Sequence, residues 1–366
     1  MKILNINFLN FRNLKNNFLN LSEKINVFYG KNAQGKTSIL EVLYFNSTGI
    51  SFRTKKVSEM IKYNNNFLIS HINFEDNIAK NKLSIKYEAS AGSKKEFYFN
   101  KKKISQTDFY GKINIIAYIP EDVAIINGSP SYRRGFFDME ISQIDKEYLE
   151  NLKKYNRILK IKNKYLKENK LNNPEYEIYE REFIKYGAKI ILTRLEYTKS
   201  LSIMLNLLYR KLFNSRQELS IKYENSFLKS SKLDLIEIEK EFKKDIDLKK
   251  EKEKRYKFSL TGPHKDDFKF ILNGHEAKIT ASQGEKKSII FSLKLSEIDI
   301  IRKNKKENPV IIIDDITSYF DETRRNSVLE YLNKQDIQVI ISSTDKLNIN
   351  SQNFYVEKGE IINEEI

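Results

Sequence analysis

Gly30-Lys31-Asn32-Ala33-Gln34-Gly35-Lys36-Thr37 has the residue types and spacing of a phosphate cradle, the P-loop pattern. Its two glycines let the backbone close around phosphate oxygens, and the N–H groups that follow point inward at the positive end of a helix dipole. Lys36 would reach the β- and γ-phosphates there, Thr37 would ligate Mg2+, and Ser38 would complete the cradle. The flanks agree: residues 25–29 are a short apolar run of strand type, and residues 38–44 have helical spacing. On residue frequencies, a chance match arises in on the order of one chain in a hundred of this length, so the motif outweighs accident.

A second chemical constellation lies far along the chain. Val310-Ile311-Ile312-Ile313-Asp314-Asp315 reads as a buried strand ending in two carboxylates, a Walker B pattern. Asp314 would hold Mg2+ directly or through water, while Asp315 would orient and activate an attacking water. About thirty residues earlier, Ser282-Gln283-Gly284-Glu285 opens a helix carrying Ile290, Leu293, Leu295 and Ile298. Ser318-Tyr319-Phe320-Asp321 follows the acids as a short loop, and a strand at 338–341 leads into Ser342-Ser343-Thr344. Arg12 and Arg53 each read either as a surface arginine at a turn or as a phosphate contact. Thr261-Gly262-Pro263-His264-Lys265-Asp266-Asp267 sets two acids beside a histidine; a hairpin loop with capped turns explains it more simply than a metal or acid/base site.

Positioning these groups calls for alternating strands and long helices. Leu4, Ile6 and Phe8 alternate with Asn5 and Asn7 as a half-buried strand, and residues 66–118 read as strands joined by polar turns. Among them, Ala91-Gly92-Ser93 supplies a turn and Lys101-Lys102-Lys103 a hairpin tip. From about residue 130 the period changes to helical. Phe137, Ile141, Ile144, Tyr148, Leu152, Tyr155 and Leu159 share one face; beyond Pro174, so do Tyr179, Phe183, Tyr186, Ile190, Tyr197, Leu201, Met204 and Leu208. The stripes predict an antiparallel hairpin of two helices, each ~45 to 57 Å long. A third helix is expected over 233–254, and strands over 256–260 and 268–272. The outward cations Lys153, Lys154, Arg157, Lys160, Lys164 and Lys167 read either as a solvated face or as a clamp on a duplex.

With 366 residues the chain can fill two cores, or one core with an inserted lobe. No apolar run approaches the ~18 residues of a membrane span and no signal pattern opens the chain, so a cytoplasmic protein is expected. The absence of cysteine excludes disulfides, thiolate zinc sites and a cysteine nucleophile, and the three histidines are too scattered for a metal cluster. Net charge of +16 attracts polyanions, nucleic acid first, although a lysine- and asparagine-rich coding bias gives the same excess.

P-loop, long insertion, Ser-x-Gly-Glu and Walker B, in that order, resemble the ABC-type ATPase heads of the SMC and RecF class. In detail the chain resembles the RecF family: Asn10-Phe11-Arg12-Asn13, Leu40-Glu41, Ser51-Phe52-Arg53, Pro120-Glu121-Asp122 through Arg133-Arg134 and Phe137-Asp138, Gly262-Pro263-His264, and Ser282-Gln283-Gly284-Glu285. It departs at Lys265, at Tyr319-Phe320, and at the switch histidine, where Ser343 or Thr344 stands. The resemblance implies an α/β P-loop head, lobe I, from residues 1–128 and 256–366, with a helical lobe II, residues 129–255, built on the long antiparallel hairpin. It also implies ATP with Mg2+ as cofactors. Lys36, Asp315 and Ser282 would be the catalytic groups; Arg12, Arg53, Ser282, Gln283, Gly284 and Asp321 would join residues 30–38 around the nucleotide. Ser282 and Gly284 would act on the nucleotide of a partner copy in an ATP-dependent homodimer. DNA at single-strand/double-strand junctions, RecR, RecO and a functional link to RecA are the implied partners, with Arg133, Arg134, Lys153 and Lys154 as DNA contacts. A transporter-type nucleotide-binding subunit, an SMC-type ATPase and a small-molecule P-loop kinase are the rival readings.

Overall fold

The computed structural model describes the chain except residues 16, 90–93, 229–233, 320 and 365–366. The expected turn at Ala91-Gly92-Ser93, the start of the third helix at Leu233, and Phe320 lie outside the described residues. Two units emerge: residues 1–122, 211–215 and 291–366 form the first, and residues 123–210 and 216–290 the second.

The first unit opens with β1 (Lys2–Leu9), β2 (Asn17–Asn20), β3 (Ile25–Tyr29) and α1 (Lys36–Thr48). There follow β4 (Phe67–Glu75), β5 (Lys80–Glu88), β6 (Lys94–Phe99), β7 (Lys102–Ile104), α2 (Gln106–Phe109) and β8 (Ile115–Tyr118). The second unit holds α3 (Ala124–Asn127), α4 (Pro130–Ile144), α5 (Lys146–Lys167), α6 (Pro174–Leu212), β9 (Leu219–Glu224), α7 (Leu235–Tyr256), β10 (Asp267–Leu272), β11 (His275–Glu276) and α8 (Ala277–Thr280). Helix α9 (Gln283–Lys305) contributes residues to both units. The first unit then closes with β12 (Val310–Ile313), α10 (Ile316–Tyr319), α11 (Glu322–Asn333), β13 (Gln338–Ser343), β14 (Gln352–Glu357) and β15 (Glu360–Glu364).

In the first unit, an antiparallel sheet ordered β2-β1-β4-β5-β6-β7 and a mainly parallel sheet ordered β15-β14-β3-β13-β12-β8 share one core with α1. Ile39, Leu40, Val42, Leu43 and Phe45 of α1 join Ile6, Phe8, Leu68 and Ile85 of the first sheet and Phe28, Ile312, Ile340 and Phe354 of the second. Each such side chain contributes about 1.5–3 kcal/mol on burial, which fixes the start of α1 against the end of β3. In β1 a register shift between Ile3 and Asn5 breaks the expected alternation, so Ile3, rather than Leu4, is buried with Ile6 and Phe8. The lysine triplet is split: Asn100 and Lys101 take positive φ at the turn, while Lys102 and Lys103 belong to β7.

The second unit corrects four expectations. The first long helix is two helices, because Asp145 leaves helical geometry (φ −127, ψ 104) and its carboxylate accepts the Tyr148 N–H to cap α5. Helix α5 then runs antiparallel to the 39-residue α6, with Glu147 paired to Lys189, Tyr155 stacked on Phe183, and Tyr165 against Tyr176. No strand forms over 256–260: Tyr256 ends α7, Lys257 takes a left-handed φ of 61, and the next backbone N–H groups go to side chains, Ser259 to Asn163 and Leu260 to Glu253. The expected hairpin loop over 261–267 is likewise absent, since β10 pairs along its length with β9 and at its end with β11. That pairing holds residues 256–290 in the second unit, so the chain returns to the first at 291 and not at 256. Among the described residues no helix is long and apolar enough to cross a membrane.

Candidate functional site

The Gly-rich turn leaves β3 at Gly30, whose φ of 145 and close approach to β14 admit only glycine: a Cβ there would lie 2.4 Å from the Val356 carbonyl oxygen. Ala33 and Gly35 also take positive φ, at 62 and 114. The turn between β14 and β15 braces the loop, the Gly359 N–H donating to the Gln34 carbonyl (2.9 Å) and the Lys358 N–H to the Gln34 side-chain oxygen (2.7 Å). Neither β14 nor β15 is among the strands that the sequence predicts. Helix α1 starts with no side-chain cap, so its first N–H groups face an anion site open to a ligand. Lys36 folds onto its own loop, its ammonium donating to the carbonyls of Gly30 (2.6 Å) and Lys31 (2.8 Å). Burial lowers the pKa of Lys36, against the pull of Asp315, Asp314 and Asp345.

Strand β12 delivers the two acids. The Thr37 hydroxyl lies 3.0 Å from both oxygens of Asp314, and the Ser342 hydroxyl on β13 donates to Asp314 at 2.6 Å while accepting the Asp315 N–H at 2.8 Å. Burial raises the pKa of Asp314, opposed by the hydrogen bonds from Ser342 and Thr37, and nearby Asp315 raises it further. This hard oxygen set, a hydroxyl and a buried carboxylate already in contact, fits Mg2+. Among the described residues no cluster of three or more His, Cys, Asp or Glu could hold a metal ion. Asp315 sits at φ 54 and accepts the Thr317 hydroxyl at 3.1 Å; Thr317 in turn meets Thr344 at 3.2 Å. The sequence expectation gives Ser342 no role and has Ser343 or Thr344 at the place of the switch histidine. Nothing in a Ser-Ser-Thr run says which hydroxyl faces the acids.

Arg12 and Arg53 converge on one carboxylate. Glu41, fully buried in α1, accepts a bidentate pair from Arg12 (2.9 and 2.7 Å), a longer contact from Arg53 (3.3 Å) and the Ser51 hydroxyl (2.5 Å). Both guanidiniums line a cavity of about 620 Å³ together with Lys36, Thr37, Asp314 and Asp315. Asn32, Ala33, Gly35 and Ser38 line it as well, whereas Gly30, Lys31 and Gln34 shape the loop behind it.

The other expected residues lie elsewhere. Ser282 forms a capping box with Glu285, its hydroxyl accepting the Glu285 N–H (3.2 Å) while Glu285 accepts the Ser282 N–H (2.8 Å). Ser282 and Gln283 are exposed and Gly284 is half-buried, all in the second unit. Residues 318 and 319 of the expected loop belong instead to a helical turn, α10, and Asp321 caps α11 by accepting the Arg324 N–H (2.9 Å). Arg133 is withdrawn from the DNA set: it is buried, with two 2.7 Å hydrogen bonds to Asp267 and a third to the Gly128 carbonyl. Arg134 donates to the Asp266 carbonyl at 2.6 Å. Lys153 and Lys154 are exposed on α5, with the Lys154 ammonium over the Tyr186 ring.

The profile of the RecF/RecN/SMC N-terminal domain matches residues 2–358. The chain is 35% identical over 360 residues to the DNA replication and repair protein RecF of Thermoanaerobacter sp. (strain X514), covering 97% of this chain and 98% of that one. It is 35% identical over 376 residues to the protein of the same name from Clostridium botulinum (strain ATCC 19397 / Type A), covering 99% of each. Among solved structures, the recombination mediator protein RecF-ATP of the RecFOR pathway superposes with a TM-score of 0.91 at 31% identity, over 99% of both chains. An Smc head bound to the C-terminal winged-helix domain of ScpA matches at a TM-score of 0.58 and 13% identity, a likeness of fold.

Proposed function

The chain belongs to the RecF/RecN/SMC family and within it to RecF, and from that premise we propose that it is an ATP-dependent DNA-binding protein of recombinational gap repair and replication restart, acting in the cytoplasm. The observation that carries the reading is the meeting of the P-loop, the Thr37–Asp314 pair and Asp315 at one cavity. The α1 N–H groups and Lys36, exchanging the Gly30 and Lys31 carbonyls for phosphate oxygens, bind the triphosphate. Thr37 and Asp314 would hold Mg2+, which neutralises the phosphate charge when bound. Asp315 orients the attacking water and takes up its proton as the γ-phosphate leaves. Glu41 positions Arg12 and Arg53 at the rim, where each guanidinium can meet phosphate oxygens.

Ser282, exposed at the start of α9, acts with Gly284 on the nucleotide of a second copy, so that ATP joins two chains into a clamp and slow hydrolysis reopens it. Net charge of +16, with Lys153, Lys154 and Arg134 as contacts, supports DNA as the clamped partner. RecR and RecO are the proposed partners in loading RecA at single-strand/double-strand junctions.

Sedimentation with and without ATP and Mg2+, each with and without a gapped duplex at moderate salt, tests this reading. The expected result is an ATP-dependent shift from monomer to dimer that retains DNA. Lys36→Met abolishes the shift, and Ser282→Arg binds ATP yet stays monomeric. A protein that remains monomeric with ATP and ignores DNA overturns the proposal.

A further inference from the structure

The cavity is also lined by Ile61, Lys62 and Tyr63, to which the phosphate and cation chemistry above gives no part. The backbone of Ile61 and Lys62 is pinned to the segment that carries Arg12. Phe11 and Ile61 form an antiparallel bridge, the Arg12 N–H donates to the Met60 carbonyl (2.8 Å), and the Lys62 N–H donates to the Asn10 carbonyl (2.9 Å). The Lys62 side chain is tied down too, its ammonium donating to the Leu14 carbonyl at 3.0 Å. Tyr63 directly follows this anchored pair and is 88% exposed at the wall of a cavity of about 620 Å³. Pockets of this size suit ligands larger than a bare polyphosphate. A nucleotide brings a planar base whose faces gain from stacking on an aromatic ring.

We propose that residues 61–63 are the base-recognition edge of the nucleotide cavity and that the Tyr63 ring is the platform on which the base stacks. The inference rests on the ATP reading above and deepens it. Half-buried Ile61 offers apolar contact beside the ring. Because the interaction uses the π-face, which every base has, it separates nucleotides from inorganic polyphosphate without choosing adenine over guanine.

Calorimetric titration of the full chain with ATP, GTP and inorganic tripolyphosphate, each with Mg2+, tests it on the parent, Tyr63→Ala and Tyr63→Phe. Tyr63→Ala weakens ATP and GTP by about tenfold, leaves tripolyphosphate unchanged and melts at the parent temperature; Tyr63→Phe binds all three within about twofold of the parent. Unchanged ATP affinity in Tyr63→Ala, or an equal loss of ATP and tripolyphosphate, overturns the inference while the ATP site stands. A parent chain that binds neither ATP nor tripolyphosphate overturns the ATP reading itself, and this inference with it.

Discussion

Arg133 illustrates how a basic residue can be structural. Its bidentate contact with Asp267 is nearly dry, with side-chain exposures of 5% and 15%. Removing one partner of such a pair costs about 3–5 kcal/mol, because a charge is left buried without its complement. Arg133→Ala should therefore lower the urea midpoint strongly while, in the surviving folded protein, DNA affinity stays near the parent value. A lost DNA affinity with unchanged stability would return Arg133 to the DNA surface. His264, in the same unit, sits between the Tyr155 hydroxyl (2.6 Å) and the Ser259 carbonyl (3.2 Å), and burial pulls its pKa from 6.5 down to about 4. A base depressed in the fold contributes stability that is complete above the unfolded pKa and lost as pH falls from 6.5 to about 4. Burial lifts Asp266 the opposite way, from 3.8 to about 6, so its contribution is complete below 3.8 and lost as pH rises through 6. Their slopes oppose each other between about pH 4 and 6. His264→Gln removes only the first, so its stability deficit measured by urea unfolding should shrink by up to about 3 kcal/mol between pH 7 and pH 4. A deficit that does not vary with pH would mean that His264 is not held neutral.

At the scale of elements, packing repeatedly outweighs local propensity. Gly187 lies inside α6, where alanine is ordinarily better than glycine by about 1 kcal/mol. Here an added Cβ would come within 2.4 Å of the Phe242 ring and 3.1 Å of Tyr155, and overpacking of that kind costs about 1–3 kcal/mol. Gly187→Ala should therefore destabilise, against the propensity scale, in a denaturant titration with unchanged m-value. Stabilisation instead would show that α6 and α7 can move apart at no cost. The same competition explains the missing strand at 256–260. Tyr256, Phe258 and Leu260 alternate as a strand should, yet Asn163 accepts the Ser259 N–H and Glu253, held by buried Lys162 (2.8 Å), accepts the Leu260 N–H, so these donors are lost to a sheet. Strand β14 is faint in the sequence for the opposite reason: its strand-type run, Phe354-Tyr355-Val356, is only three residues long and flanked by polar residues.

For the whole molecule the governing quantity is a net charge of +16. Cations that neutralise DNA phosphates release counterions, so duplex affinity in the presence of ATP should fall linearly on a logarithmic salt axis. Replacing Lys153 and Lys154 with glutamate should reduce the magnitude of that slope by about 2 and weaken binding similarly across sequences, while ATP affinity is unchanged. Fluorescence anisotropy over a salt series measures it. An unchanged slope would place the duplex on another face, and a transporter-type subunit would show no DNA slope at all.

By itself the sequence determined the phosphate and acid chemistry. A P-loop needs glycine at fixed positions and a Walker B pair needs a buried apolar strand, and both demands are local enough to be written in eight and six consecutive residues. It also determined the alternation of strand and helix periods, and hence the class of fold. Tertiary structure alone decided which groups meet. That Ser342 would be the hydroxyl on Asp314, that Glu41 would gather Arg12 and Arg53, and that Val356 would force glycine at residue 30 depends on strands and helices distant in the chain. The same holds for residues 256–290, assigned to the second unit through the register of β10 on β9. Contacts of long sequence separation leave no periodic trace in either partner, because each residue's type is compatible with many neighbours until the core selects one.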